Sequence, residues 1–285
     1  MAPTPPVVLT IAGFDPSSGA GITADIKTIA AHGCYGVSCI TALTVQSTRG
    51  VLRSEPVAPA LVRETLDELA RDISIDAVHI GMLGNAAVAT AVAEFLARTK
   101  PSNVVLDPVV KSSSGAPLLD AKGAAVLLEK LLPLATVMTP NIDEAAHLTG
   151  LTVTNPEQMQ TAAERLHAMG AANVVVTGGH LERAIDVLGF TTPAGKFEFE
   201  LFQSPRLRTT STHGTGCAFA TALACHLALG RGIPEAVLLT KAYVAAAIAN
   251  AHPLGQGNGP VHHLYRMNQP ARLGRAAGAS DGAEH

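Results

Sequence analysis

Six runs of apolar residues recur between residues 7 and 180, and they constrain the fold more than any other feature. Each run is apolar throughout instead of alternating with polar residues, which is typical of strands whose two faces are both buried. The runs occupy 7–14, 38–46, 77–83, 103–110, 135–140 and 173–180. Amphipathic segments such as GITADIKTIAAHG and NAAVATAVAEFLARTK separate most of them. This order predicts an α/β fold of three layers, with a mainly parallel sheet between two layers of helices.

The remaining part of the chain adds a hairpin and two helices to this pattern. Segments 184–192 and 196–205 are strand-like and are separated by Pro-Ala-Gly, so we expect an antiparallel hairpin at one edge of the sheet. Apolar helices are predicted over about 216–229 and 233–251. No linker divides the chain, which indicates one domain.

That domain is expected to span 1–267. Residues 268–285 are polar and rich in small side chains, and we expect this tail to be disordered because it offers little apolar surface to bury.

Composition and charge exclude several classes of protein. The net charge is -3 and no run of lysine or arginine is present, which argues against nucleic acid or an anionic membrane as partner. No apolar run reaches the roughly 18 residues of a membrane span, and the N-terminus lacks the charged start of a signal peptide. The four cysteines show neither a C-x-x-C pair nor metal-ligand spacing, so we expect reduced thiols in a cytoplasmic enzyme.

The loops that follow the strands are where a parallel sheet binds ligands. After the first strand, GFDPSSGAGITAD matches neither standard phosphate-loop fingerprint, and Asp25 is expected on the first turn of the next helix. Gln46 ends the second strand, and its carboxamide suits a heterocycle that presents a ring nitrogen and an amino group. The alternatives are a solvated acid beside a tight turn for Asp25 and a structural polar residue for Gln46.

Three oxygen-bearing side chains follow the fourth and fifth strands. Asp107 ends a buried strand, while Asn141 and Glu144 have the spacing that places both on one face of a first helical turn. Hard oxygen ligands of this kind suit Mg²⁺, usually through its waters and substrate phosphates. For Asn141 an ordinary helix N-cap is equally compatible with the sequence.

The stretch HGTGC places Cys217 at the start of an apolar helix, directly after Gly214-Thr215-Gly216. Unpaired N–H groups at a helix start bind anions, and the helix dipole favours negative charge there. The same field is expected to lower the pKa of Cys217 and to make the thiol a proton acceptor. The alternative is a buried cysteine that only closes the turn.

Seven motifs together resemble one known family. They are TIAGFDPSSGAGITADIKT, ITALTVQST, IGMLG, LDPVV, TPNIDEA, THGTGC and GQGNGPVHHL, and they cover roughly residues 7–264. In this order and spacing the chain resembles the hydroxymethylpyrimidine and phosphomethylpyrimidine kinases of thiamine biosynthesis, in the ribokinase-like superfamily. The resemblance implies a ribokinase-like fold and two ATP-dependent phosphorylations of 4-amino-5-hydroxymethyl-2-methylpyrimidine. It also implies Mg²⁺ as cofactor and, by analogy with the fold, a homodimer.

The resemblance assigns roles to individual positions of this chain. The pyrimidine would be bound by Gly13, Asp25, Gln46, Met82 and Val109. Mg-ATP would be bound by Asp107, Asn141, Glu144, Thr177 and Thr215, with Asp107 and Glu144 holding the metal through water. Gly214 and Gly216 would frame the anion hole, and Cys217 would act as the base. Three positions depart from the family pattern. Thr177 stands where relatives commonly have lysine, Phe14 where they have serine, and Ser113 where they often have lysine or threonine.

Three other functions compete with this one. A pyridoxal or pyridoxine kinase of the same fold is the nearest, and Gln46 favours an aminopyrimidine over a pyridine alcohol. A cysteine hydrolase using Cys217 with His213 would leave Asp107, Asn141 and Glu144 without a role. A ligand sensor without catalytic activity would bind ATP but not turn it over.

Overall fold

The computed structural model describes residues 3–112, 115–179, 181, 183–207 and 209–268. The tail for which disorder is expected lies, apart from residue 268, outside these described residues.

One sheet of nine strands forms the centre of the described structure, in the order β3-β2-β1-β4-β5-β6-β7-β8-β9. The strands are β1 (Val7–Phe14), β2 (Tyr35–Ser47), β3 (Gly50–Pro56), β4 (Ala77–Ile80), β5 (Val104–Leu106), β6 (Val137–Met138), β7 (Val174–Gly178), β8 (Ala184–Thr191) and β9 (Phe197–Ser204). Six neighbouring strands run parallel to one another, namely β2, β1, β4, β5, β6 and β7. β3 at one edge, and β8 with β9 at the other, are antiparallel.

Helices cover both faces of the sheet. They are α1 (Gly21–Ala31), α2 (Pro59–Asp72), α3 (Ala86–Thr99), α4 (Ala121–Val126), α5 (Ile142–Thr149), α6 (Pro156–Ala168), α7 (Thr215–Ala228) and α8 (Ile233–Ala249). Helices α2 to α6 pack on one face, and α1, α7 and α8 pack on the other. Because successive side chains of a strand point to opposite faces, Val104 and Leu106 join the first of these cores and Val105 joins the second.

The α/β fold and its three layers are confirmed, and so are the six parallel strands and the hairpin of β8 and β9. The inner strands β4, β5 and β6 are shorter than predicted, because the apolar residues beyond their ends continue into loops. Strand β3 was not predicted. Its sequence, GVLRSEP, is partly or fully exposed along its whole length, so it lacks the apolar run that marks the inner strands.

The described residues contain no helix that is long and apolar enough to cross a membrane.

Candidate active site

A cavity of about 1550 Å³ opens at the carboxyl ends of the parallel strands. It lies beside the position where the strand order reverses, with β2 on one side of β1 and β4 on the other. Every site residue predicted from the sequence lines it except Asp25, namely Gly13, Gln46, Met82, Asp107, Val109, Asn141, Glu144, Thr177, Gly214, Thr215, Gly216 and Cys217. This volume exceeds the roughly 300–1,000 Å³ of a site for one small ligand, so two ligands can share it.

Gly13 and Met82 form one wall of the cavity. A Cβ atom added to Gly13 would lie 2.8 Å from the sulfur of Met82, closer than the two groups can pack. Met82 can therefore pack on the backbone at position 13 only because Gly13 has no side chain. Gln46 lies near this wall at the end of β2, with its carboxamide half-buried.

Asp25 lies beneath the cavity floor and not in its wall. It is the fifth residue of α1, so it sits on the second helical turn instead of the first. Its carboxylate is fully buried and accepts hydrogen bonds from Thr10 Oγ1 at 2.6 Å and from Thr221 Oγ1 at 2.8 Å. The Nδ1 atom of His79 lies 3.4 Å away. This placement does not fit the direct contact with substrate that was expected of Asp25, because packed side chains already occupy both of its oxygens.

Asn141 and Glu144 form a capping box at the start of α5. The Asn141 side chain accepts the Glu144 N–H at 2.9 Å, and the Glu144 carboxylate accepts the Asn141 N–H at 2.9 Å. The N-cap considered as an alternative for Asn141 is therefore present. Both side chains still line the cavity, where they share its wall with Asp107.

Burial and neighbouring negative charges raise the pKa of the acidic groups in this part of the cavity. Burial raises the pKa of Glu144 to about 7, and nearby Asp143 adds to the effect. Burial also raises the pKa of Asp107 well above its usual range, and the charges of Glu144 and Asp25 raise it further. A bound cation would relieve this repulsion. The described residues contain no cluster of three or more His, Cys, Asp or Glu side chains that could hold a metal directly, so a metal here would need water and ligand oxygens as well.

Helix α7 begins at the cavity with a glycine that no other residue can replace without strain. Gly214 caps the helix with a φ of 79°, and a Cβ atom there would overlap the carbonyl oxygen of Gly19. Thr215, Gly216 and Cys217 form the first turn and line the cavity. N–H groups of a first turn have no acceptor within their own helix, so this end of α7 can bind an anion.

The thiol of Cys217 does not have the lowered pKa that its position suggested. Burial raises the pKa of Cys217 well above its usual value, and the charges of Asp107, Asp25 and Glu144 raise it further. Only the Gly21 backbone N–H works in the opposite direction. The expectation of a lowered pKa is therefore wrong for this structure, because desolvation and three nearby carboxylates favour the neutral thiol.

An ion pair that sequence reasoning missed lies beside Thr177. Lys241 Nζ on α8 lies 2.7 Å from the carboxylate of Asp186 on β8, and both side chains are buried. Asp186 pairs with Thr177 across the sheet and accepts the Gly178 N–H at 3.0 Å. The signal in the sequence was a single lysine within an otherwise apolar helix, since a buried charge is normally paired.

Asp15 and His213 form a second pair that the sequence reasoning did not assign to the site. His213 Nε2 lies 2.8 Å from Asp15 Oδ2, and both residues line the cavity. Burial favours a raised pKa for Asp15, but hydrogen bonds from His213 and Ser17 outweigh it and hold the pKa below its usual value. Both residues belong to quoted motifs, GFDPSSG and THGTGC, but their pairing joins loops 198 residues apart in the chain.

Comparison with known proteins identifies chains of the same kind. The family model described as phosphomethylpyrimidine kinase matches residues 15–262. The hydroxymethylpyrimidine/phosphomethylpyrimidine kinase of Haemophilus influenzae is 43% identical over 258 residues, which are 90% of this chain and 96% of the relative. The thiamine biosynthesis bifunctional protein of Geobacter sulfurreducens is 47% identical over 259 residues. That alignment covers 90% of this chain but only 52% of the bifunctional protein.

A solved structure shares the fold at similar length. The ADP complex of Bacillus subtilis pyridoxal kinase superposes with a TM-score of 0.83 at 35% identity, and it covers 93% of this chain and all of that one.

Proposed function

The chain belongs to the phosphomethylpyrimidine kinase family, and from that premise we propose how its cavity phosphorylates 4-amino-5-hydroxymethyl-2-methylpyrimidine with ATP. The enzyme is a phosphotransferase of thiamine biosynthesis that acts first on the alcohol and then on its monophosphate. The observation that carries the proposal is the cavity of about 1550 Å³, in which Gln46 and the acidic residues Asp107 and Glu144 line the same space as the start of α7. A pyrimidine and a nucleotide can therefore meet at that helix end.

The pyrimidine occupies the part of the cavity formed by Gly13, Gln46, Met82 and Val109. Met82 and Val109 offer apolar surface to the ring, and Met82 is nearly fully buried against Gly13. Gln46 supplies both a donor and an acceptor in the plane of the ring. The Asp25 carboxylate acts from beneath the floor, where it holds β1 to α7 through Thr10 and Thr221.

The nucleotide occupies the part that contains Asp107, Asn141, Glu144, Thr177 and Thr215. The repulsion between Asp107 and Glu144 fits a magnesium ion, which these carboxylates would hold through water and which would balance charge on the phosphates. Thr177 brings no charge of its own. Lys241, which is paired with Asp186 directly beside it, also lines the cavity.

Phosphoryl transfer then needs positioning and charge stabilisation more than covalent chemistry. The hydroxymethyl oxygen attacks the γ-phosphorus, the bond from that phosphorus to the bridging oxygen breaks, and ADP leaves. The N–H groups of Gly216 and Cys217 stabilise the charge of the transferring group. Cys217, in its thiolate form, takes the proton of the attacking hydroxyl and becomes a neutral thiol.

Pyridoxal kinase is the second candidate, because the Bacillus subtilis structure shares the fold and the length of this chain. The two alcohols differ at the ring edge that Gln46 faces. An aminopyrimidine presents a ring nitrogen beside an amino group, and a pyridoxal ring presents oxygen substituents there.

The test is a product assay by mass spectrometry with the pyrimidine alcohol and ATP, run beside pyridoxal. We expect products with one and then two added phosphates from the pyrimidine. Gln46→Ala should lower kcat/KM for the pyrimidine about 5- to 150-fold, because a lost buried hydrogen bond costs about 1–3 kcal/mol. A protein that phosphorylates pyridoxal and leaves the pyrimidine unchanged would refute the assignment.

Two further parts of the proposal concern the oligomeric state of the enzyme and its location in the cell. Exposed Leu43, Val45 and Leu52 on β2 and β3 give an apolar surface that supports a homodimer. The four cysteines are all free thiols, which supports work in the cytoplasm.

A further inference from the structure

Four side chains connect the β1–α1 loop, the start of α7 and the end of β2 at one side of the cavity. The carboxylate of Asp15 is bound to His213 Nε2 at 2.8 Å, and His213 Nε2 lies 3.3 Å from the carboxamide nitrogen of Gln46. The carboxamide oxygen of Gln46 lies 3.1 Å from Thr44 Oγ1, which also lies 2.9 Å from the carbonyl oxygen of Phe14. Counting the protons on these atoms decides which way the carboxamide points.

Asp15 fixes the proton on His213. Its two oxygens also accept from Ser17 N at 2.8 Å, Ser17 Oγ at 2.7 Å and Ala20 N at 2.9 Å, so the group is surrounded by donors. A carboxylate in such a setting is ionised and can only accept. His213 Nε2 must therefore carry a hydrogen, in the neutral ring as well as in the charged one.

That one hydrogen is donated mainly to Asp15 at 2.8 Å, and its second, weaker contact at 3.3 Å needs an acceptor on Gln46, because a donor nitrogen there would oppose it. Thr44 leads to the same conclusion independently. Its hydroxyl has one proton, and when it donates to the nearer oxygen of Phe14 it can only accept from Gln46. A half-turn of the terminal carboxamide exchanges its oxygen and nitrogen without moving any other atom. Both neighbours then agree, with the oxygen facing His213 and the nitrogen facing Thr44.

We infer that His213, held by Asp15, locks the Gln46 carboxamide in this one orientation and thereby selects the ring edge that the site accepts. The inference rests on the proposed function, in which Gln46 faces the pyrimidine. His213 is in this sense a positioning residue that acts through Gln46. The locked carboxamide keeps one N–H and one oxygen lone pair for the ligand, in a fixed order.

The fixed order distinguishes two rings of nearly the same shape. The 4-amino pyrimidine presents an acceptor at its ring nitrogen beside a donor at its amino group. Its 4-oxo analogue presents the reverse, with a donor at the ring nitrogen beside an acceptor oxygen. A locked carboxamide can pair fully with only one of these edges, whereas a carboxamide that is free to turn can pair with either.

The test compares the two rings on the same protein. His213→Leu removes the N–H, and His213→Gln restores a donor at that place. We expect the ratio of kcat/KM for the amino ring to that for the oxo ring to fall about tenfold or more in His213→Leu, and to recover in His213→Gln. If the oxo ring is turned over too slowly, its inhibition constant against the amino ring gives the same ratio. His252→Leu, at an exposed histidine outside the cavity, is the matched control and should keep the ratio of the unmodified protein.

This ratio of kcat/KM values does not depend on the fraction of folded protein, because both substrates are measured with the same enzyme preparation. A histidine that only supports the loop would lower both values equally, and an unchanged ratio in His213→Leu overturns the inference. A ratio that His213→Gln fails to restore overturns it as well. If the unmodified protein does not phosphorylate the amino ring at all, the proposed function fails first and is identified as the cause.

Discussion

At the scale of single residues, the surroundings of Cys217 shift the pKa of its thiol in opposite directions. The N-terminal end of α7 favours a thiolate, whereas burial and the nearby carboxylates of Asp107, Asp25 and Glu144 favour the thiol. Burial is the largest of the effects that raise the pKa of Cys217, and the charges of the carboxylates add to it. Because they raise the pKa of Cys217 through their charge, positive charge bound beside Asp107 and Glu144 lowers it again. A Mg²⁺ ion held beside Asp107 and Glu144 would therefore make Cys217 a better proton acceptor.

Substitutions at Cys217 test its role as a base. Cys217→Ala is expected to lower kcat about a hundred- to ten-thousand-fold with little change in the KM for the pyrimidine, because general-base help is worth about that much. Cys217→Asp should keep measurable activity, since a carboxylate can accept the same proton. Cys225→Ala is the matched control, because Cys225 is a buried cysteine further along the same helix and lies away from the cavity lining. Steady-state kinetics measures all three, and full activity in Cys217→Ala would remove the thiol from the mechanism.

Single residues also mark the limit of what the sequence could predict. The motifs placed Gln46, Asp107 and Glu144 correctly at the cavity, because a residue that follows a buried strand must emerge at the carboxyl edge of the sheet. Asp25 was placed wrongly in contact with substrate. The Asp25 carboxylate accepts a hydrogen bond from Thr221, which is 196 residues away in the chain. No local sequence pattern shows that these two residues are in contact. The pKa of Cys217 could not be predicted for the same reason.

At the scale of elements, α7 connects the fold to the chemistry because its first turn lies in the cavity and its body packs under the sheet. The sequence predicted this helix and the existence of the inner strands, though not the short lengths of β4, β5 and β6, since elements buried on several sides have long apolar runs. It did not predict β3, which is exposed at the edge, or the irregular π and 3-10 turns over Leu127–Leu131 and Leu132–Leu134 that continue α4. Those turns follow from packing against the sheet, which no helical periodicity records.

The two glycines that flank α7 give a matched pair of substitutions. Gly214 before the helix and Gly230 after it both have a φ of 79°, but a Cβ atom would overlap Gly19 at the first and meet nothing within 4 Å at the second. Each alanine should cost about 1–2 kcal/mol of stability from the left-handed backbone alone. Only Gly214→Ala should also displace the first turn and lower kcat, by about tenfold or more. Denaturation and kinetics on both variants separate the two effects, and equal kcat values would show that the turn tolerates the displacement.

At the scale of the whole molecule, the three layers bury ionisable side chains that do not line the cavity. His226, near the end of α7, is buried, its ring meets that of His32, and its Nε2 has no hydrogen-bond partner among the described residues. Burial lowers the pKa of His226 to about 4, and the charges of His32 and Arg266 contribute. His263 is buried in the same way, and burial with the charge of Lys27 lowers its pKa to about 4. The native state therefore keeps both rings neutral at pH values where an unfolded chain protonates them.

This burial predicts that acid destabilises the molecule through its histidines. A folded pKa below the unfolded value of 6.5 means that the unfolded state binds more protons between pH 6.5 and about 4, so stability falls as the pH drops through that window. For His226 alone the loss between pH 7.5 and pH 5 is about 2 kcal/mol. Glu144, whose pKa burial raises to about 7, works in the opposite direction, so a difference between variants is needed. His226→Gln should lose less stability than the unmodified protein between these two pH values, by about that amount, in urea denaturation. His252→Gln, at an exposed histidine, should lose as much as the unmodified protein. An equal loss in His226→Gln would show that the ring is charged in the native state at pH 5.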